Sequence, residues 1–209
     1  MKRAVIIAGG EINDAGIKFY KDVIERADYI AAVDSGADFA GRNGIMPDII
    51  VGDMDSISKE MLEYYKKFEV EMAIYPVEKD LCDGEIAIQI VKSRGYDIID
   101  IIGGLGGRSD HMLGNIFMLD KYENIRIISE KESLESVTGY RSYEGIKGKT
   151  VSILSLSYES KIKYIKGMKY CVDNISLKRG DTTGISNIAE SEKAEIEVES
   201  GKIIVIVNN

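Results

Sequence analysis

Residues 97–111 read DIIDIIGGLGGRSDH. The apolar run 97–102 has strand length, and four glycines (Gly103, Gly104, Gly106, Gly107) close it before a helical pattern over 111–121. A strand that passes through a glycine turn into a helix is half of a βαβ unit, and the same phrase recurs on both sides. AVIIA (4–8) ends at Gly9-Gly10 and leads to a stripe of Ala15, Phe19, Val23 and Ala27 at helical spacing. YIAAV (29–33) leads to a helix opening near Gly36. DIIV (48–51) precedes a helix over 58–68, with Met61, Leu62, Tyr65 and Phe68 on one face and Ser58 as N-cap. VEMAIY (70–75) precedes a helix over 83–94, and IRIIS (125–129) is a last strand. Strands that are nearly continuous apolar runs belong to parallel sheets covered on both faces. The expectation is an α/β domain over residues 1–130, doubly wound around a mostly parallel sheet.

The rhythm changes beyond residue 130. VSILSLS (151–157) alternates apolar and polar, and IEVESGKIIVIV (196–207) reads as two strands around a Ser200-Gly201 turn. No helical stripe follows. Residues 131–209 are expected to form a small antiparallel β-sandwich domain.

Composition narrows the function. The 209 residues carry a net charge of −8, which disfavours coating of nucleic acid, since phosphate backbones need a basic surface. A nucleotide substrate stays open, because a divalent cation can mediate between carboxylates and phosphates. Cys82 and Cys171 form no CxxC pair, and the single His111 cannot complete a zinc set with them. The N-terminal apolar run ends at Ala8, too short for a signal-peptide core, and no run approaches 18 apolar residues. A cytoplasmic protein without membrane attachment is expected.

Ligands of open parallel sheets bind at the carboxyl ends of the strands. Read in order, those ends carry Gly9-Gly10, then Asp34-Ser35-Gly36, Gly52-Asp53-Met54-Asp55-Ser56, Lys79-Asp80 with Asp83, and Gly103 to His111. One edge therefore collects Asp34, Asp53, Asp55, Asp80, Asp83 and Asp110. Left uncompensated, these carboxylates repel and raise one another's pKa values. A divalent cation resolves the conflict, and magnesium, which combines carboxylates with phosphates and water, suits it best. Each motif has a plainer reading. Asp53-x-Asp55 could be an Asx turn, and Asp80 and Asp83 could cap the following helix. The glycine loop has no Gly-Lys-Ser/Thr ending and lacks the third glycine of a dinucleotide fingerprint, so it is neither a P-loop nor a nicotinamide site. With Arg108 and a helix N-terminus behind it, it suits phosphate.

Taken together, Val33-Asp34-Ser35-Gly36-Ala37, Gly52-Asp53-Met54-Asp55-Ser56, Lys79 to Glu85, and Gly103 to His111 resemble the thiamine pyrophosphokinase family in its bacterial form. Gly184-Ile185-Ser186-Asn187 is similar to that family's thiamine segment. The resemblance implies transfer of the terminal pyrophosphate of ATP to the hydroxyethyl oxygen of thiamine, with release of AMP. It implies magnesium on Asp53, Asp55 and Asp83 with Asp80 beside them, and a catalytic set of these aspartates with Arg108. ATP would be held by Asp34, Ser35, Gly36, Gly106, Gly107 and Arg108, with Asp110 as a nearby polar contact. Ser186 and Asn187 would bind the aminopyrimidine. It further implies a homodimer, with thiamine held between the catalytic domain of one subunit and the β domain of the other. Three departures stand out. Ser35 replaces a glycine and Cys82 a threonine found in many members, and the chain has no Trp. Ring stacking would then fall to Tyr140, Tyr143, Tyr158, Tyr164 or Tyr170. The rival readings are a pyrophosphokinase for another alcohol, such as a hydroxymethylpterin, and a non-catalytic nucleotide sensor.

Overall fold

A parallel sheet organises the first part of the chain in the computed structural model. The structure describes all residues except Val77 and Lys79, and the Asp14 side chain is likewise left undescribed. Two compact units emerge: Met1–Met118 with Ile127–Glu130, and Leu119–Arg126 with Lys131–Asn209.

In the first unit β1 (Arg3–Ile7), β2 (Tyr29–Val33), β3 (Ile49–Gly52), β4 (Glu71–Ile74) and β5 (Ile98–Ile102) alternate with α1 (Ile17–Ile24), α2 (Gly36–Arg42), α3 (Lys59–Lys67) and α4 (Asp83–Ser93). α5 (Ser109–Lys121) and β6 (Ile125–Ile128) follow. The strands pair in parallel, in the order β5-β1-β2-β3-β4. Ala4, Val5, Ile6 and Ile7 are all buried. Both side-chain parities of β1 are therefore covered, as a doubly wound sheet requires. Val5, Ile7 and Ile102 pack with Tyr20, Ile24 and Phe39, while Ala32 and Ile50 pack with Ala37, Ile57 and Tyr65. Tyr65 is fully buried and its hydroxyl donates to Ala37 O at 2.7 Å, joining α3 to α2. Ser58 caps α3 as expected, its Oγ accepting from Met61 N–H at 3.3 Å. At α4 the N-cap is Cys82, which makes no side-chain capping bond, and Asp83 is the first helical residue. Neither Asp80 nor Asp83 is the cap. Asp83 instead adds favourable charge to the first turn.

The second unit contains β7 (Glu132–Glu144), β8 (Thr150–Ser155), β9 (Glu159–Lys166), β10 (Val172–Lys178), β11 (Asn187–Ile188) and β12 (Lys193–Asn208). All its named pairings are antiparallel. One expectation is corrected here. Residues 196–207 are not a hairpin around Ser200-Gly201. β12 runs straight through and pairs with β7 on both sides of a register shift, Val198 facing Gly139 and Ile203 facing Val137. Its early half also pairs with β9 and its late half with β8, so the sheet folds over at β12. Gly201 has the positive φ (+82°) that a turn would use, but the fold spends it on a bulge. A Cβ there would lie 2.7 Å from Glu159 O. The bulge also keeps the core faced. Ala194, Ile196 and Val198 before it, and Ile203, Val205 and Val207 after it, belong to one apolar cluster. Val198 and Ile203 have opposite parity, so a regular strand would have turned one set outward.

Among the described residues, no helix is long and apolar enough to cross a membrane.

Candidate active site

The sheet order defines where a crevice must open. The chain steps from β1 outward to β4, then returns to β5 on the other side of β1. Loops leaving β1 and β5 therefore diverge to opposite faces, which is the topological switch point of such sheets. A cavity of ≈ 460 Å³ lies there, lined by the turns after β1, β2 and β5 and by the first turns of α4 and α5. Gly36 makes the close packing beneath it possible, because a Cβ at that position would lie 2.2 Å from Ile7 O.

Asp34, Ser35, Asp83, Gly106, Gly107 and Arg108 all line this cavity. Gly36 lines a second cavity of ≈ 260 Å³, which shares Ala8, Gly9, Gly10 and Ser35 with the first. Asp34 sits in the left-handed region (φ +50°), which Asp tolerates better than most residues. Across from it Gly52 leaves room for the carboxylate, since a Cβ there would meet Asp34 Oδ1 at 2.1 Å. Gly106 and Gly107 both have positive φ (+79° and +68°) and turn the loop over Glu11.

Asp53, Asp55, Asp80 and Asp110 are not in the cavity wall. Strand order accounts for Asp53, Asp55 and Asp80, which follow β3 and β4, whereas Asp83 reaches the wall because α4 crosses back against β1, β2 and β3. β3 is two strands and β4 three strands from β1, at about 4.8 Å each. The turn after β3 has the Asx form: Asp53 Oδ1 accepts Asp55 N–H at 3.0 Å. Asp55 Oδ1 accepts from Ser56 Oγ at 2.9 Å, and Ser56 reaches the cavity wall. Lys79 lies outside the described residues. Among the described residues, no group of three or more His, Cys, Asp or Glu is gathered closely enough to hold a metal ion alone.

Asp110 instead grips Arg108. Its carboxylate accepts from Arg108 Nη2 at 2.7 Å and Nε at 3.2 Å, and also from His111 N–H at 2.9 Å. The guanidinium pulls the Asp110 carboxyl down to about 2, with the His111 amide adding to it. Both side chains are well exposed, so the pair aims Arg108 more than it stabilises the fold.

Sequence reasoning missed Glu11 and Asn115, both in the cavity wall. Glu11 directly follows Gly9-Gly10 at the end of β1. Asn115 falls in line with Arg108, His111 and Met112 at intervals of three, one and three, a single helical face. That spacing was the available signal.

In the second unit Asn187 is buried, and its amide is bonded to the backbone of Tyr170 and Ile188. Oδ1 accepts from Tyr170 N–H (3.0 Å) and Ile188 N–H (2.9 Å), and Nδ2 donates to Tyr170 O (3.0 Å). Ser186 is exposed at positive φ (+63°), its N–H donating to Ser152 Oγ at 3.1 Å. Tyr140, Tyr158 and Tyr170 are exposed, while Tyr143 and Tyr164 are half-buried.

Two family models match the chain in succession. "Thiamin pyrophosphokinase, catalytic domain" covers residues 20–129, and "Thiamin pyrophosphokinase, vitamin B1 binding domain" covers 135–203. The chain is 30% identical to the thiamine pyrophosphokinase of Bacillus subtilis over 213 residues, covering 99% of this chain and 98% of that protein. Thiamine pyrophosphokinase 1 of Oryza sativa is 31% identical over 172 residues, 75% of this chain, which spans 64% of the rice protein's length. Among solved structures, the B. subtilis thiamine pyrophosphokinase superposes with a TM-score of 0.86 at 28% identity, covering 100% of this chain and 99% of that one. The enzyme from Geobacillus thermodenitrificans gives 0.84 at 25% identity, covering 100% and 98%.

Proposed function

This chain belongs to the thiamine pyrophosphokinase family, and we propose that it moves the terminal pyrophosphate of ATP onto the hydroxyethyl oxygen of thiamine, releasing AMP. The observation that carries the reading is the succession of the two matched domains over nearly the whole chain, with a glycine-walled cavity at the switch point of the first. The B1-binding match at 135–203 favours thiamine over a pterin alcohol. The reading assigns residues 1–130 to catalysis and residues 131–209 to thiamine binding.

ATP phosphates would lie against Gly106, Gly107 and the first turn of α5, where N–H groups point outward. Asp34, Ser35 and Gly36 complete the nucleotide side. Arg108 would exchange part of its grip on Asp110 for a phosphate, because a bidentate guanidinium suits either anion. Asp53, Asp55 and Asp83 offer the carboxylate oxygens that magnesium takes, with Asp80 beside them. Magnesium bound jointly by carboxylates and nucleotide needs no protein cage of three acids, so the donor set fits the metal. When bound, the metal would offset charge on the phosphate oxygens. One of the four aspartates would take the hydroxyl proton. Ser186 and Asn187 would meet the aminopyrimidine, Asn187 through the one Nδ2 proton its backbone contacts leave over. An exposed tyrosine, Tyr140, Tyr158 or Tyr170, would supply stacking in place of tryptophan.

The test is a mixture of protein, ATP, magnesium and thiamine. AMP and thiamine pyrophosphate should appear in equal amounts, and ADP with thiamine monophosphate would sink the reading. The active unit is proposed to be a cytoplasmic homodimer with sites at the subunit interface. Mixing Asp53→Asn with Asn187→Ala chains under subunit exchange should then restore activity, up to about half per heterodimer by two-fold symmetry. No recovery after verified exchange would assign each site to one chain.

A further inference from the structure

We propose that Asn115 is a positioning residue that sets the spacing between the glycine loop after β5 and the α4 N-terminus carrying Asp83. The inference rests on the nucleotide reading of the cavity. Asn115 stands on α5, half-buried in the cavity wall. Its Nδ2 donates to Gly104 O at 2.9 Å. A carbonyl only accepts, so the nitrogen must face Gly104 and Oδ1 must face away. Oδ1 is directed toward α4, where a Cβ placed on Gly84 would lie 3.8 Å from it. On the other side, a Cβ on Gly104 would lie 3.7 Å from Nδ2. One amide thus bonds the loop that holds Gly106 and Gly107 and lies beside Gly84, the residue next to Asp83.

Gly104 is buried, so its carbonyl cannot turn to bulk water if Asn115 releases it. Gly103, Gly106 and Gly107 all have positive φ and contribute no side chains, so this loop has little packing of its own to define its height above the cavity. Gly103 O is held from the β1 side by Gly10 N–H at 3.0 Å, and Asn115 holds the next carbonyl, Gly104 O, from the α5 side, so the loop is fixed at both faces. A cradle for phosphate needs its donors placed to a fraction of an ångström, which is what such a supporting contact provides.

Asn115→Asp tests the idea, because it keeps shape and removes the donor, setting an oxygen against Gly104 O. Asn115→Ala is the companion, which removes both shape and donor. KM for ATP should rise on the order of tenfold in both variants, the scale of one lost buried hydrogen bond. KM for thiamine should stay within about twofold by the same argument, since the lost bond is on the nucleotide side. Amide hydrogen exchange at residues 104–107 of the nucleotide-free protein should accelerate in both, with the rest of the sheet unchanged. An Asp variant that matches wild type in ATP KM and in exchange overturns the proposal, as does an equal rise for both substrates. If wild-type protein binds no ATP, the nucleotide reading fails instead, and the exchange measurement alone decides whether Asn115 holds the loop.

Discussion

Two glycine-led segments, residues 103–108 and 184–187, are used in opposite ways. After β5 the glycine loop and the first turn of α5 line a cavity, while Gly103 O and Gly104 O are held from behind by Gly10 and Asn115. At 184–187 nearly everything polar is already spoken for. Gly184 O accepts Ile153 N–H at 2.8 Å, and a Cβ on Gly184 would lie 2.0 Å from Ile153 O. Ser186 N–H and the Asn187 amide are likewise engaged. The contrast follows from sheet type. Parallel strands release their chains together at one edge, where loops splay and donors stay open. Antiparallel strands return on themselves, and the ladder consumes the groups that a loop would otherwise offer.

The largest effect is expected at the acidic edge of the first unit. Asp83→Asn should cut turnover about a hundredfold or more, the usual scale for a lost charge at a reacting phosphate. Asp53→Asn and Asp55→Asn should do the same if the nucleotide brings the metal to them. Thermal unfolding should change little, since each substitution removes a negative charge from an acidic edge. An Asp83→Asn enzyme with wild-type turnover would place the metal elsewhere.

Arg108→Ala and Asn187→Ala sharpen the comparison. Arg108 is exposed and, among the described residues, pairs with a neighbour two residues on, so its loss should raise KM for ATP about tenfold or more with Tm unchanged. Asn187→Ala strips partners from Tyr170 and Ile188 in a buried position. It should cost about 2–4 kcal/mol of stability as well as thiamine affinity. Denaturant melts read the difference directly. Equal melts for the two variants would erase the contrast drawn above.

Glycine replacements give smaller effects of opposite sign. Gly36→Ala must push a methyl against Ile7 O and should destabilise by about 1–3 kcal/mol. Gly114, within α5, has open space where its Cβ would be. Gly114→Ala should therefore stabilise by up to about 1 kcal/mol through helix propensity. Two melts decide both.

The smallest effect concerns pH. Asp110 is drawn down to about 2, so whatever stability its pair with Arg108 lends is fully present above the unfolded carboxyl pKa near 4. It is lost only as pH falls through about 2. Asp110→Asn should consequently leave the shape of the stability curve between pH 5 and 8 unaltered. A difference appearing within that window would show that the pair does more for the fold than aim Arg108.

Periodicity and turn chemistry, both local, were enough to read the strand-then-helix alternation, the Ser58 cap, the glycine loop before α5 and the antiparallel character of the second unit. They depend on neighbours a few residues away, which the sequence displays directly. Which strand ends meet is a different matter. The order β5-β1-β2-β3-β4, with α4 crossing back over β1, β2 and β3, brings Asp34, Asp83 and Arg108 to one cavity and leaves Asp53 and Asp55 out of its wall. Pairing partners are chosen by burial over the whole sheet, so no single segment encodes that order. The same applies to β12. Ser200-Gly201 satisfies a hairpin and a bulge equally well in isolation, and only the continuous partnership of β7 on both sides selected the bulge. The resemblance implies a ligand contact for Asn187, and its bonds to Tyr170, which arise because β11 packs beside a segment that the linear order keeps apart, were not legible in sequence. Local residues set what each element can be, and long-range pairing decided which polar groups remained free to do chemistry.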